Sequence, residues 1–219
     1  MFTLSVPSLW RETPAPYGPL FLWIGRGISA LTGENIVAAV LCHRLVVLAG
    51  VGLIVWATPR LARRCGVAEV AALWLGAANP LLLMHLVAGI HNEALMLGLM
   101  LAGTELALRG IDSHAALWPR PVHWPHSRAD WRTWMPLAML LAGAVLVTLS
   151  SQVKLPGLLA LGFVAMALAC RWGATVRAFV AACGLMGVVA LAVMALVGWA
   201  SGLGFGWLFT LGTANVVRS

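Results

Sequence analysis

Charged residues are scarce in this 219-residue chain. They make up 10% of it, while hydrophobic residues make up 61%. Soluble domains carry about 25% charged residues, and so few charges cannot cover the surface of a water-soluble fold of this length. The composition therefore excludes a soluble globular domain and indicates a protein whose outer surface faces lipid.

Lysine and tyrosine are also nearly absent, since each occurs once, as Lys154 and Tyr17. The four cysteines lie far apart and form no CxxC pair, so we expect small packing residues and neither disulfides nor a zinc site. Arginines supply nearly all of the basic charge behind the net +7, but they lie between apolar runs. Such placement reports membrane topology, and we therefore expect no nucleic-acid partner.

Six apolar runs approach or reach the length of about 20 residues that a helix needs to cross a bilayer. They lie at 35–57, 68–88, 93–109, 135–151, 155–170 and 177–199. A seventh run, 18–31, is short and is interrupted at Gly25-Arg26-Gly27, which predicts a helix lying along the interface. The sequence thus predicts an all-α, polytopic transmembrane helix bundle. We expect one integral membrane domain over 1–219, in which 1–34 is an outer proline-rich loop and interfacial helix.

The basic residues between these runs are unevenly distributed. Nine fall on one side of the predicted membrane, namely Arg60, Arg63, Arg64, Arg109, Arg120, Arg128, Arg132, Arg171 and Arg177. Four fall on the other side, namely Arg11, Arg26, Lys154 and Arg218. Because cytoplasmic loops carry the excess of basic residues, the first set is predicted to be cytoplasmic. The N-terminal loop and the 89–93 and 151–156 turns then face outward from the plasma membrane.

The longest loop between the runs, 110–134, is rich in tryptophan and histidine. Its histidines, His114, His123 and His126, match no metal-ligand spacing and have no cysteine beside them, so we expect no metal there. A basic, tryptophan-rich segment is instead suited to resting on anionic lipid headgroups.

Polar residues collect at the predicted outer ends of the spans. They are His91, Asn92 and Glu93 before the third span, and Ser150, Ser151, Gln152 and Lys154 around the end of the fourth. Ionisable groups at membrane depth are functional-site candidates.

The lengths of two spans bear on these residues. Residues 94–109 and 156–170 cover roughly 24 Å and 22 Å of helix, which is less than the hydrocarbon core of about 30 Å. If Arg109 and Arg171 hold the inner ends, both outer turns stop below the surface, where irregular polar backbone is tolerated if it lines a cavity. We therefore expect one outward-facing cavity, lined by His91, Asn92, Glu93 and Lys154.

Simpler interpretations of the same residues stay open. Asn92 followed by Glu93 is also a favourable start for a helix. Lys154 is also able to reach the surface as an ordinary anchor. The Asn79-Pro80 pair in the second span is also explained by a kink alone.

A stiff loop precedes the first helix. Three prolines between residues 14 and 19 fix the backbone and remove hydrogen-bond donors. The loop carries Arg11, Glu12 and Tyr17. It is either a rigid linker or the rim of the predicted cavity.

Three motifs resemble a known family. They are TPAPYGPLF at 13–21, the segment from NPLLL at 79–83 to HNEALM at 91–96, and QVKLP at 152–156. In this order they are similar to the polyprenol-phosphomannose-dependent α-(1→6)-mannosyltransferases, actinobacterial glycosyltransferases of the GT-C class that build the mannan core of lipomannan. The resemblance covers nearly the whole chain.

The resemblance implies that mannose passes from polyprenyl-phosphate-mannose to a lipomannan-type acceptor, with inversion at the anomeric carbon, on the outer membrane face. Lys154 is then expected to bind the donor phosphate. Sugar or acceptor groups are expected to bind His91, Asn92, Glu93, Gln152, Tyr17 and Arg11. We expect no cofactor beyond the lipid-linked donor, since Lys and Arg are able to stabilise a phosphate leaving group without a metal, although a divalent metal stays compatible.

One feature departs from the family pattern. Enzymes of the GT-C class keep acidic catalytic residues in the first outer loop, after a first span, whereas this chain starts within such a loop. We therefore expect an internal piece of a longer enzyme. No catalytic base is assigned, and Glu12 and Glu93 are the candidates.

Two other functions stay open. A polytopic transporter or lipid-carrier flippase also contains short, broken helices around a polar site, although no internal repeat is visible in this sequence. An inactive fragment or a structural membrane subunit would not need the polar cluster.

Overall fold

The computed structural model describes residues 17–113 and 131–207, and within these ranges the chain forms helices and no strands. The helices are α1 (Pro19–Thr32), α2 (Ile36–Arg64), α3 (Glu69–Gly76), α4 (Pro80–Ala88), α5 (Glu93–Ser113), α6 (Trp131–Ser151), α7 (Leu159–Arg171) and α8 (Val176–Ser201). A 3-10 helix, Leu155–Leu158, precedes α7. The predicted all-α fold class is confirmed.

The exterior of the bundle is apolar. Four helices, α2, α5, α6 and α8, are long and apolar enough to cross a membrane, and the bent pair α3–α4 makes a fifth if it counts as one span. The segment Leu155–Arg171 is apolar but shorter. Large apolar side chains project from α2 and α8, such as Leu45 and Leu191, both 66% exposed. The chain is therefore a multi-pass membrane protein, and the number of six spans stays a prediction.

Helix α5 lies between α2 and α6 and packs closely against both. A Cβ atom on Gly50 of α2 would lie 2.5 Å from the carbonyl carbon of Ala94, and one on Gly103 of α5 would lie 2.7 Å from the carbonyl oxygen of Gly143. Small residues permit this close approach in membranes, where burial of apolar surface does not drive helices together. The crossings place the start of α5 beside the end of α6.

Three helices run at least four residues beyond the predicted spans, α2 and α5 at their ends and α6 at its start. Helix α2 continues to Arg64, and α5 continues to Ser113. Helix α5 extends because Ile111 is buried in the core with α6, and because Arg64 pairs with the acids of the last turns. Helix α5 has 21 residues, or roughly 32 Å of helix, so it is longer than the predicted third span, whose bounds in the membrane stay a prediction.

The predicted second span, 68–88, is broken in its middle. Helix α3 ends at Gly76, α4 begins at Pro80, and the two are bent by 42°. Pro80 has no N–H to continue a helix, and Asn79 caps α4 by accepting a hydrogen bond from the Leu81 N–H at 2.8 Å. Helix α4 then widens into a π-helix over Leu83–Ala88. The Asn79-Pro80 pair thus produces a helix break.

The remaining expectations concern the first helix and the cysteines. Helix α1 occupies almost the whole segment predicted as interfacial and ends at Thr32, before Gly33, whose φ of 55° suits glycine. Its position along the membrane surface stays a prediction. All four cysteines are free. Cys65, Cys170 and Cys183 are exposed among the described residues, so the expected packing role is not seen for them.

Candidate functional site

The turn between α4 and α5 is tightly wound. Ile90 has a φ of 54°, a conformation that is uncommon for a β-branched residue and is often found at functional sites. The turn brings the rings of His85 and His91 into a stack with centroids 4.0 Å apart. Gly89 makes room for this stack, because a Cβ atom there would lie 2.7 Å from the His91 ring.

The end of α6 forms the second wall of the site. The Ser150 hydroxyl donates to the Val147 carbonyl at 2.7 Å, and the Ser151 hydroxyl donates to the Thr148 carbonyl at 2.6 Å. Both serines therefore satisfy backbone groups of the helix and are fully buried. Lys154 follows in an extended conformation, with φ −153° and ψ 131°. The predicted placement of this lysine in a turn is confirmed.

An ion pair joins these two segments. The Lys154 Nζ lies 2.5 Å from Glu93 Oε1, although the residues are 61 positions apart in sequence. His91 Nδ1 lies 3.4 Å from the other carboxylate oxygen of Glu93. The exposed side-chain fractions are 37% for Lys154, 24% for Glu93 and 45% for His91. The pair is therefore sheltered on one side and open on the other.

Two buried amides beside this ion pair lack hydrogen-bond partners. The Asn92 side chain is 5% exposed and Gln152 is fully buried, yet Asn92 Nδ2 and Gln152 Oε1 find no partner among the described residues. Buried polar atoms are nearly always hydrogen-bonded, because an unmet group costs about 1–3 kcal/mol. These unmet atoms lie at the ends of two helices, beside the ion pair.

The start of α1 docks on the turn after α6. The Gly18 N–H donates to the Val153 carbonyl, and the Leu20 N–H donates to the Gln152 carbonyl, both at 3.1 Å. A Cβ atom on Gly18 would overlap the backbone of Gln152, so only glycine fits. Tyr17 packs edge-on against Phe21, with ring centroids 5.6 Å apart.

The structure brings most of the predicted site residues to one end of the bundle. These are Tyr17, His91, Asn92, Glu93, Gln152 and Lys154. Arg11 and Glu12 lie outside the described residues, as do His114, His123 and His126. In the part of the chain that the structure describes, no group of three or more His, Cys, Asp or Glu side chains is arranged to hold a metal ion. The roles assigned to the predicted site residues stay predictions.

Sequence reasoning missed a second charged cluster at the opposite end of α5. Glu105 is 2% exposed and accepts hydrogen bonds from Arg64 Nε and Arg109 Nε, both at 2.6 Å. Arg64 also pairs with Asp112. The available signal was an acid inside an apolar run, four residues before an arginine, which is the spacing of a helical ion pair.

The chain is similar to known proteins over its whole length. The family model described as alpha-(1->6)-mannopyranosyltransferase, N-terminal domain, matches residues 1–170. A probable alpha-(1->6)-mannopyranosyltransferase of Mycolicibacterium smegmatis is 80% identical over 219 residues, covering 100% of this chain and 39% of that protein. An alpha-(1->6)-mannopyranosyltransferase of Mycobacterium tuberculosis is 68% identical, covering 100% of this chain and 41% of that protein.

A more distant relative is alpha-(1->6)-mannopyranosyltransferase B of Corynebacterium glutamicum, which is 40% identical over 98% of this chain and 34% of that protein. The chain thus spans about two-fifths of the length of the curated relatives it matches. No solved structure matches it.

Proposed function

Since the chain belongs to the alpha-(1->6)-mannopyranosyltransferase family, we propose that it forms part of the membrane domain of an enzyme that transfers mannose in α-(1→6) linkage. The donor in this proposal is mannose carried on a polyprenyl phosphate, and the acceptor is a mannan of the lipomannan type. The observation that carries the proposal is the half-open ion pair between Lys154 and Glu93 at the end of an apolar bundle.

Lys154 contacts the donor phosphate. An acceptor hydroxyl oxygen attacks the anomeric carbon of mannose, the bond between that carbon and the phosphate oxygen breaks, and the polyprenyl phosphate leaves with added negative charge. A fixed cation in a sheltered site stabilises such developing charge far better than water does. Lys154 suits this role because its ammonium group is partly exposed where the start of α5 meets the end of α6. It is also the only lysine of the chain.

Glu93 competes with the donor phosphate for Lys154. In the structure its carboxylate holds the ammonium group at 2.5 Å. Arrival of the phosphate would therefore free Glu93 to face the acceptor. Glu93 and Glu12 are the candidate bases for the proton of the acceptor hydroxyl, and a base must lie within hydrogen-bond reach of that proton.

Sugar hydroxyls are bound by the polar groups around the ion pair. Asn92 and Gln152 have amide atoms that find no partner among the described residues, and His91 is half-exposed beside Glu93. Tyr17 and Arg11 belong to the same proposed site as parts of the loop that docks on the turn after α6. A site built to hydrogen-bond hydroxyls rejects ligands that lack them, because its polar groups are then left unmet.

The site faces outward from the plasma membrane in this proposal. The basic residues concentrate at the other end of the bundle, where Arg60, Arg63, Arg64 and Arg109 lie together, and cytoplasmic ends carry such an excess.

One observation favours a second candidate function, a transporter of lipid-linked sugar. The span α3–α4 is broken by a bend of 42°, and broken helices beside a polar site are common in transporters. The two functions differ in their product, since a transporter moves its substrate without breaking the bond to phosphate.

The experiment uses membranes from cells that express the longer enzyme of which this chain is proposed to form part, supplied with polyprenyl-phosphate-mannose labelled in its sugar and with a short α-(1→6)-linked mannose oligosaccharide. We expect labelled mannose in the oligosaccharide, with α-(1→6) linkage by methylation analysis. Membranes from cells without the protein are the control. Labelled lipid that crosses the membrane intact, with no label in the oligosaccharide, would favour the transporter.

A further inference from the structure

A cavity of about 300 Å³ lies at the end of the bundle opposite to Lys154, and it is lined wholly by charged residues. They are Arg60, Arg63, Arg64, Glu105 and Arg109. Glu93 begins α5 and Glu105 lies 12 residues further along the same helix, or roughly 18 Å away at the helical rise. The cavity is therefore a separate site from the Lys154 cluster.

Both carboxylate oxygens of Glu105, the one acid that lines the cavity, accept hydrogen bonds from arginines. Glu105 Oε1 accepts from Arg109 Nε at 2.6 Å and from Arg64 Nη2 at 3.4 Å, and Oε2 accepts from Arg64 Nε at 2.6 Å. Breaking such a buried pair is costly, so Glu105 holds these two arginines in place. Arg63 turns away to Glu69, with which it forms two hydrogen bonds of 2.7 and 2.8 Å.

Arg60 differs from its neighbours because it has no carboxylate within ion-pair distance among the residues that the structure describes. Its Nη1 donates to the Trp56 carbonyl at 2.5 Å, and its guanidinium lies over the Trp56 ring, 4.6 Å from the centroid. Arg109 approaches the same ring at 5.6 Å. The half-buried Arg60 guanidinium is thus oriented, yet most of its five N–H donors are left for a ligand.

The charges around the cavity do not cancel. Four arginines line it, whereas the acids that pair with them are Glu69, Glu105 and Asp112. Guanidinium groups recognise phosphate through parallel hydrogen bonds, and basic pockets between membrane helices on the cytoplasmic side bind acidic headgroups. The position beside Trp56, an amphipathic ring suited to the membrane boundary, favours a ligand that is itself part of the bilayer.

We propose that this cavity binds the phosphate group of an anionic phospholipid, with Arg60 as the main contact and Arg109 as the second. The cavity lies where α2 and α5 end together, so a bound headgroup joins the two helices at the surface opposite to the Lys154 site. The proposal does not depend on the function proposed above.

Native mass spectrometry of the full chain in detergent tests this assignment. The chain is titrated separately with phosphatidylglycerol, with zwitterionic phosphatidylcholine and with inorganic phosphate. We expect saturable binding of one phosphatidylglycerol and no comparable binding of phosphatidylcholine. Arg60→Gln should weaken phosphatidylglycerol binding by about tenfold, the effect of losing one charge-assisted hydrogen bond. Arg60→Lys should keep part of the affinity, because it retains the charge without the planar fork.

The matched control is Arg171→Gln, which removes an exposed arginine outside the cavity. It should leave phosphatidylglycerol binding unchanged, and circular dichroism should show that every variant keeps its helix content. Equal losses in Arg60→Gln and Arg171→Gln would assign the effect to general surface charge and overturn the proposal. Binding of inorganic phosphate as tight as that of phosphatidylglycerol, with the same loss in Arg60→Gln, would overturn the assignment to lipid.

Discussion

At the scale of single residues, the few charged side chains of this protein form two clusters that differ in their exposure. Lys154 and Glu93 form a pair that is open on one side. Glu105 is instead closed in by Arg64 and Arg109 and is only 2% exposed. An accessible pair is able to exchange a partner for a ligand, whereas a buried network mainly holds helices together.

In the intact enzyme, Lys154→Ala should lower mannose transfer by about a hundredfold or more, because one fixed donor facing developing charge contributes on that order. Lys154→Arg should recover only part of the rate, since the guanidinium is bulkier and differently shaped. The measurement is the initial rate of mannose transfer at matched amounts of membrane-inserted protein. Arg171→Ala, at an exposed site far from the ion pair, is the control. Near-normal turnover in Lys154→Ala would assign this lysine to anchoring.

Glu105→Gln should destabilise the bundle by about 3 kcal/mol, because it leaves two partly buried arginines without their shared carboxylate. The control is Asp112→Asn, which removes an acid that is 66% exposed and should cost much less. The measurement is the midpoint of thermal unfolding in detergent, followed by circular dichroism. Equal midpoints for the two variants would show that the buried network does not hold α2 to α5.

At the scale of elements, the site depends on two turns and on the segment that docks between them. The turn before α5 and the turn after α6 meet because glycines let α5 approach both α2 and α6. The Gly18 backbone then pairs with Val153, one residue before Lys154. A change in any of these contacts moves the ion pair without altering its residues.

Gly18→Ala should displace the start of α1, because the new Cβ would overlap the Gln152 backbone. Overpacking of this kind costs about 1–3 kcal/mol. Gly27→Ala is the matched control, since a Cβ there meets open space within α1 and replaces glycine by a better helix former. Thermal unfolding in detergent should show a lower midpoint for Gly18→Ala and an equal or higher one for Gly27→Ala. The reverse order would mean that α1 does not dock on this turn.

At the scale of the whole molecule, the bundle has two ends of different character. One end carries the pair of Lys154 and Glu93, and the other carries the cavity lined by four arginines. Residues that the sequence assigned to one side of the membrane do lie together: Arg64 contacts Asp112, and Gly18 contacts Val153. Which end faces the cytoplasm is a separate question.

Labelling of single cysteines by an impermeant thiol reagent on intact cells tests which end of the bundle faces the cytoplasm. In a background without the four native cysteines, Glu34→Cys should be labelled from outside and Ser113→Cys should not, following the distribution of basic residues. Both positions are exposed, whereas Ser151 is fully buried and would make a poor reporter. Permeabilised cells are the control, in which both variants should react. Labelling of Ser113→Cys alone in intact cells would reverse the orientation.

The fold class and the family of this protein follow from the sequence by itself. Hydropathy and charge depend only on residues close together in the chain, so they were enough to predict an all-α membrane bundle. The same locality explains why motifs such as HNEALM and QVKLP could be recognised as those of a mannosyltransferase family. It also explains the errors at helix ends, because α5 continues past Arg109 for reasons that lie on other helices.

Only the tertiary structure decided which polar residues meet. Lys154 reaches Glu93 across 61 positions because α5 and α6 cross at Gly103 and Gly143, where no side chain keeps the backbones apart. The sequence placed both residues at the outer ends of spans, yet many helix arrangements satisfy that condition. Glu105 went unnoticed for the same reason, since its meaning depends on Arg64, which is 41 positions away. In a bilayer all lipid-facing surfaces are alike, so close packing of small residues and pairing of rare charges select the arrangement.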